Sequence, residues 1–357
     1  MAPTAPAAAQ ADVATPVASS CQDRWRDDGG TRRVGLLVGH GATMVDDPLV
    51  PPLGALASAP TEPPKTLRMV LAQHSAHRLV EVDLKGGAAE VDPSLEALII
   101  AQPTSDLTPA ELRRVDEYVL RGRGLVAVSS AVHVAAGDAT MQAVLRPSSI
   151  RTLLAGYGIE QHTNVALDFG QEQRMVMSAQ GIAALRTPAL IDVASGNSAG
   201  DKKGTIDHSF APFAKITSTS MPFASSLTLH PEVQPRAKLR VIVRSGPKTA
   251  LETNPTVDLS PTRAWATMTP AAAQNLVAIV EGPLKSALGA PKTPAGPSRV
   301  MVISSSGFLG NPYLRAAGAN TQSELLQLAQ RHVVDNTTGT IFAVIGALDW
   351  ATACAIK

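Results

Sequence analysis

Four short segments hold the residues best suited to chemistry, and each follows an apolar run that reads as a strand. They are Gly39-His40-Gly41, Gln102-Pro103, Ser129-Ser130 and Ser304-Ser305-Ser306, with Phe308 just beyond. A serine after a buried strand is where a hydrolase or amidotransferase carries its nucleophile. The flanking glycines of a nucleophile elbow are missing, however. The local sequence is Val126-Ala127-Val128-Ser129-Ser130-Ala131-Val132-His133, and His133 stands too near to be the usual distant base of a triad. The plainer role for both serines is to satisfy backbone groups at a helix start. Glycines after a first strand can let a backbone approach a phosphate. Gly39-His40-Gly41 has neither the Lys-Ser/Thr of a phosphate loop nor a dinucleotide fingerprint, so a tight turn is the simpler reading. His74 and His77 could share a metal on one helix face, but no carboxylate falls in that turn. Catalysis, a metal and a cofactor are therefore not expected. Small hydroxyl residues and glycines suit a neutral glycan or a partner's backbone, with His40 and Phe308 as ring faces.

The elements that must position these residues are clearest between Leu95 and Ser130. Leu98-Ile99-Ile100-Ala101 is an apolar run of the kind buried on both faces of a parallel sheet, and Gln102-Pro103 ends it. Thr108 as N-cap, Pro109 at the first helical position and Glu111 closing a capping box predict a helix over Pro109–Leu120. Leu112, Val115 and Val119 recur on its inner face, while Arg113, Arg114, Asp116 and Glu117 are expected to face water. Gly122 and Gly124 stop the helix, and Leu125–Val128 returns as a parallel strand.

Elsewhere, strands are expected at Val34–Val38, Arg78–Leu84 (nearer the sheet edge), Asn164–Asp168, Leu239–Val243, Asn275–Val280 and Arg299–Ser304. Helices are expected at Thr66–Ser75, Pro147–Gly156, Gln322–Val333 and Gly339–Ala353. Residues 1–30, rich in Ala and Pro, read as a disordered tail or linker, and Asp46–Pro64 as a long polar connection. Between about 170 and 230 the sheet pattern is lost, Gly196–Lys203 reading as a solvated loop, so that stretch is expected to be an irregular insertion with a few short strands, not a separate domain. The whole predicts one α/β domain over 31–357: a doubly wound, mostly parallel sheet of the flavodoxin or amidotransferase kind. In such a sheet ligands bind outside the carboxyl ends of the strands, which selects the four segments above.

Composition narrows the function. Across 357 residues, 31 basic groups face 30 acidic ones, and aromatics make up only 3%, which argues against a nucleic-acid surface with its basic stripe and stacking platforms. The two cysteines, Cys21 and Cys354, form neither a disulfide framework nor a thiolate site. The longest apolar run, Ile341–Leu348, is far short of the roughly 20 residues that span a bilayer. Residues 16–21 lack the apolar and basic regions that precede a lipoprotein cleavage site, so a soluble chain with no signal or membrane segment is expected. No Gly-rich loop with Lys-Ser/Thr occurs, which sets an ATPase aside.

Four pieces fall in a telling order: Val34–Gly41; Pro103, Leu107, Thr108, Glu111, Leu112, Asp116, Tyr118, Gly122 and Gly124; Met221–Leu227; and Arg299–Leu309 followed by Ala347-Leu348-Asp349-Trp350. Their order resembles the GldG-like gliding-motility-associated ABC transporter auxiliary family, related to the domain shared with intraflagellar transport proteins. The resemblance covers roughly residues 30 to 355. Where that family has acids after its opening and closing strands, this chain has Ala42 and Ser304-Ser305-Ser306. The resemblance implies a non-catalytic extracytoplasmic or periplasmic domain that recognises ABC permease or ATPase subunits, other envelope proteins, or a neutral glycan. Membrane association would run through segments not present in this sequence. A hydrolase- or amidotransferase-like enzyme and a soluble scaffold are the alternatives.

Overall fold

The computed structural model describes residues 30–41, 44–46, 66–86, 89–134, 141–170, 174–178, 181–185, 187–195, 204–260, 263, 265, 268–269, 272–289, 296–309 and 339–353. Most of the amino-terminal tail and of the 46–64 connection, the 196–203 loop, the Gln322–Val333 helix and both cysteines lie outside the described residues.

The strand–helix–strand unit forms because its signals are local and agree with one another. Strand β1 (Arg32–Val38) is followed by helix α1 (Leu67–His74), β2 (His77–Asp83) and β3 (Ala97–Ala101). Helix α2 (Pro109–Leu120) and β4 (Gly124–Val128) come next. The Thr108 side chain accepts from the Glu111 N–H while the Glu111 carboxylate accepts from the Thr108 N–H, closing the capping box. Gly122 ends the helix at φ +81°, a conformation open to glycine. Strands β3 and β4 then pair in parallel, Ala97 against Gly124 through Ala101 against Val128.

Beyond β4 come β5 (Val132–Val134), β6 (Gln142–Leu145), α3 (Arg151–Gly156), β7 (Ile159–Gln161) and β8 (Val165–Asp168). They are followed by β9 (Arg174–Ser178), β10 (Gly181–Leu185), β11 (Leu190–Ser195), β12 (Gly204–Ile206), β13 (Ser218–Pro222) and β14 (Leu227–Leu229). The last strands are β15 (Lys238–Arg244), β16 (Thr249–Glu252), β17 (Thr256–Asp258), β18 (Asn275–Gly282) and β19 (Ser298–Ile303). Residues 339–352 form the closing helix, α4.

Twelve strands make one sheet in the order β13-β11-β12-β15-β18-β19-β4-β3-β1-β2, with β14 and β7 attached through β18. The run β19-β4-β3-β1-β2 is parallel, and β18, β15, β12, β11 and β13 extend it with mainly antiparallel pairings. One face packs α1 and α4 over Ile99, Val126 and Met301; the other packs α2 and α3 over Leu98, Leu125 and Val300. The fold is thus α/β, with helices on both faces of a large sheet. A smaller core around Val132, Leu167, Phe223 and Leu259 takes side chains from β5, β6, β8 and β17.

Several elements depart from the sequence reading. Within 170–230, β11, β12 and β13 join the main sheet instead of leaving it. All three are short, and β12 and β13 carry little of the apolar run that marks a doubly buried strand. Helix α3 starts at Arg151, so Pro147–Ile150 lead into it. Asp116, expected to face water, is 0% exposed. Its carboxylate accepts from Tyr157 Oη (2.7 Å), Ser286 Oγ (2.6 Å) and the Ala287 N–H (3.1 Å), which fastens α2 to α3 and to the segment before β19. Burial and the Asp116 carboxylate push the Tyr157 hydroxyl pKa well up, so it stays a donor.

Candidate functional site

Because β1, β3, β4 and β19 run parallel, their carboxyl ends bring Gly39-His40-Gly41, Gln102, Ser129-Ser130 and Ser304–Phe308 to one edge. Gly39 and Gly41 are exposed there, while His40, Gln102, Ser129, Ser130, Ser304, Ser305 and Phe308 are buried. Gln102 holds φ +35°, which turns its side chain back along β4. There the carboxamide behaves like a missing peptide unit: Oε1 accepts from the Ser130 N–H (2.8 Å) and Nε2 donates to the Ser130 carbonyl (3.2 Å). Ser130 Oγ accepts from the Val132 N–H (3.1 Å), so the serine caps a turn into β5 and no helix begins here. Ser129 donates its N–H to Ile303, and its carbonyl accepts from Gln161 Nε2 (2.7 Å), which also donates to Ser304 Oγ (3.0 Å).

The segment Pro222–Ser226 lies across this edge. Ser305 Oγ donates to the Pro222 carbonyl, and the Ser225 N–H to the Ser304 carbonyl (3.0 Å). Ser225 Oγ accepts from the Ala131 N–H (3.0 Å) and donates to the Asn164 carbonyl (2.7 Å). The Asn164 side chain accepts from the Ser226 N–H (2.9 Å) and donates to Ser226 Oγ (2.8 Å). Phe223, at φ +55°, is buried in the smaller core, and Phe308 in the core beneath α4. The Ser130 and Ser305 hydroxyls at the ends of β4 and β19 are therefore bonded to the chain's own backbone, and the Ser304 hydroxyl to the Gln161 side chain.

His40 ties the loop after β1 to the loop after β3. Its carbonyl accepts from the N–H groups of Thr104 (2.8 Å) and Ser105 (3.2 Å) and from Thr104 Oγ1 (3.2 Å). Gly41, at φ +74°, lies so close to Thr104 Oγ1 that a Cβ would overlap it. The imidazole Nε2 stands 3.5 Å from Glu111 Oε1, and both side chains are buried. His133 Nδ1 lies 3.4 Å from Gln102 Nε2, and burial, helped by Arg146, depresses the imidazole pKa to about 4. That ring is neutral at pH 7 but meets the Gln102 amide, not a serine hydroxyl. His77 opens β2 instead of continuing α1, so it shares no helix face with His74. Among the described residues no group of three His, Cys, Asp or Glu side chains is arranged to hold a metal.

Gln161, Asn164 and Ser225, which organise this edge, were not legible in the sequence. Their one signal is a polar side chain beside short apolar runs, and their partners lie 32 or more residues away. A cleft between α1, α4 and the sheet, lined by residues including Leu67, Leu71, Val126, Val344 and Leu348, presents only apolar groups.

Helices on both faces of a central sheet, with the strand ends gathered at one edge, define an α/β protein of the doubly wound kind. The chain belongs to the family described as ABC-type uncharacterized transport system, whose sequence profile matches residues 31–337. No curated protein matches it. Among solved structures it is similar to the mmIFT52 N-terminal domain, at 10% identity and a TM-score of 0.44, covering 91% of this chain and 99% of that one. A thua-like protein from Bacteroides uniformis aligns at 11% identity and a TM-score of 0.36, covering 87% and 95%. An exo-beta-1,4-mannosidase from Opitutaceae bacterium strain TAV5 aligns at 9% identity and a TM-score of 0.33, covering 92% of this chain and 38% of that one. Among the described residues no helix is long and apolar enough to cross a membrane.

Proposed function

We infer that this chain is a non-catalytic auxiliary component of an ABC-type transport system of the GldG-like, gliding-motility kind. It acts outside the cytoplasm by recognising permease or ATPase subunits or another envelope protein. The observation that carries the reading is the engagement of the sheet's carboxyl edge. Gln102, Ser130, Ser304 and Ser305 spend their polar atoms on backbone or on Gln161, and Ser129 and Ser130 are buried with no imidazole or carboxylate bonded to either hydroxyl. An acyl-transfer enzyme needs its nucleophile within hydrogen-bond reach of a base and open to substrate. The same burial favours a protein partner over a glycan, because the hydroxyls suited to a sugar point inward. Among the described residues, the exposed part of this edge includes Gly39, Gly41 and Thr104–Asp106, a backbone-rich surface fastened by hydrogen bonds to the His40 carbonyl. The test is labelling with a fluorophosphonate probe beside the Ser129→Ala and Ser130→Ala variants. The expected result is no covalent adduct and full retention of partner binding by both variants; an adduct on either serine would overturn the reading.

A further inference from the structure

Two fully buried polar atoms at the heart of the carboxyl edge have no hydrogen-bond partner among the described residues: Ser129 Oγ and Gln161 Oε1. They belong to residues in direct contact, since Gln161 Nε2 donates to the Ser129 carbonyl at 2.7 Å. That bond fixes the carboxamide's orientation, because a flipped amide would set its oxygen against a carbonyl oxygen. Gln161 Oε1 must therefore accept from something else, and no hydrogen bond joins it to the Ser129 hydroxyl. Ser304 Oγ accepts from the same Gln161 Nε2 at 3.0 Å and keeps a proton to give. Ser129 and Ser304 are 0% exposed and Gln161 is 1% exposed, so bulk solvent reaches none of them. A buried polar atom left unpaired costs about 1–3 kcal/mol, and interiors rarely carry two side by side.

We propose that Ser129, Gln161 and Ser304 form an internal binding site for a single water molecule between the ends of β4, β7 and β19. The water donates to Gln161 Oε1, exchanges a hydrogen bond with Ser129 Oγ and accepts from Ser304 Oγ. Three partners is the usual number for a buried water. The site gives Ser129 a role at the position where an α/β hydrolase would keep its nucleophile: its hydroxyl anchors solvent inside a closed polar network. Neither the family assignment nor the recognition reading is needed for this inference.

The test is a crystal structure of the full chain at about 1.8 Å or better, beside the Gln161→Met variant. The expected result is one ordered water within about 2.6–3.2 Å of both Ser129 Oγ and Gln161 Oε1, lost in the variant. Absence of density there, or a Ser129 rotamer bonding Gln161 Oε1 directly, would overturn the proposal. Should the variant fail to fold, the wild-type density alone decides.

Discussion

Replacing Gln102 by alanine removes the donor and the acceptor that pair with both backbone groups of Ser130. At about 1–3 kcal/mol for each group orphaned in the interior, Gln102→Ala should lower the denaturation midpoint clearly. Gln102→Glu should cost at least as much: a carboxylate can accept from the Ser130 N–H but cannot donate to its carbonyl, and it buries a charge. Chemical denaturation of the two variants checks this. Equal stability of Gln102→Glu and wild type would show that the carboxamide is not acting as a peptide surrogate. The sequence marks Gln102 only as the residue ending a strand before Pro103. Its positive φ and its reach to a residue 28 positions away are tertiary facts.

Elements were legible in proportion to how local their signals are. The boundaries of α2 could be read from Thr108, Pro109, Glu111 and Gly122 because each acts within one turn of the helix end. The face of α2 was only partly legible. Leu112, Val115 and Val119 are buried as expected, but the partners of Asp116 stand 41, 170 and 171 residues away, and no periodicity announces them. The places of β11 to β13 in the main sheet were not legible for a related reason: they are set by partners distant in sequence, such as Pro222 for Leu190 and Arg244 for Thr205. Leu112→Ala should destabilise the protein by about 2–5 kcal/mol, the range for a leucine truncated in a packed core. Thermal or urea unfolding measures it, and a loss under 1 kcal/mol would mean that α2 is not clamped to the sheet as described.

The pH response of the whole molecule follows from its buried histidines. Burial depresses the His77 imidazole to about 4, from an ordinary value of 6.5, where β2 meets α4, and His133 is lowered to about 4 as well. Between pH 6.5 and 4 the unfolded chain takes up these protons while the folded chain does not. Stability should therefore be level above pH 6.5 and fall as pH drops through that window. For His77 the loss is on the order of 3 kcal/mol, and it is smaller for the half-buried His133, where solvent screens the charge. His230, raised by Glu160 and Glu232, works in the opposite direction, but as an exposed cluster it contributes little. Unfolding at pH 7.5, 6 and 4.5 should show this decline, and His77→Gln should flatten it. A protein most stable at pH 4.5 would contradict the assignment.

The central claim, recognition of a transporter subunit without catalysis, is tested most directly by titrating the chain against its detergent-solubilised permease–ATPase complex by calorimetry or surface plasmon resonance. The account predicts saturable binding that Ser129→Ala and Ser130→Ala leave unchanged. It also predicts weaker binding when Thr104 and Asp106, on the exposed rim of the sheet edge, are replaced together by lysine. Absence of binding to the intact complex, or binding that disappears on removal of either buried serine hydroxyl in a variant that still folds, would contradict it.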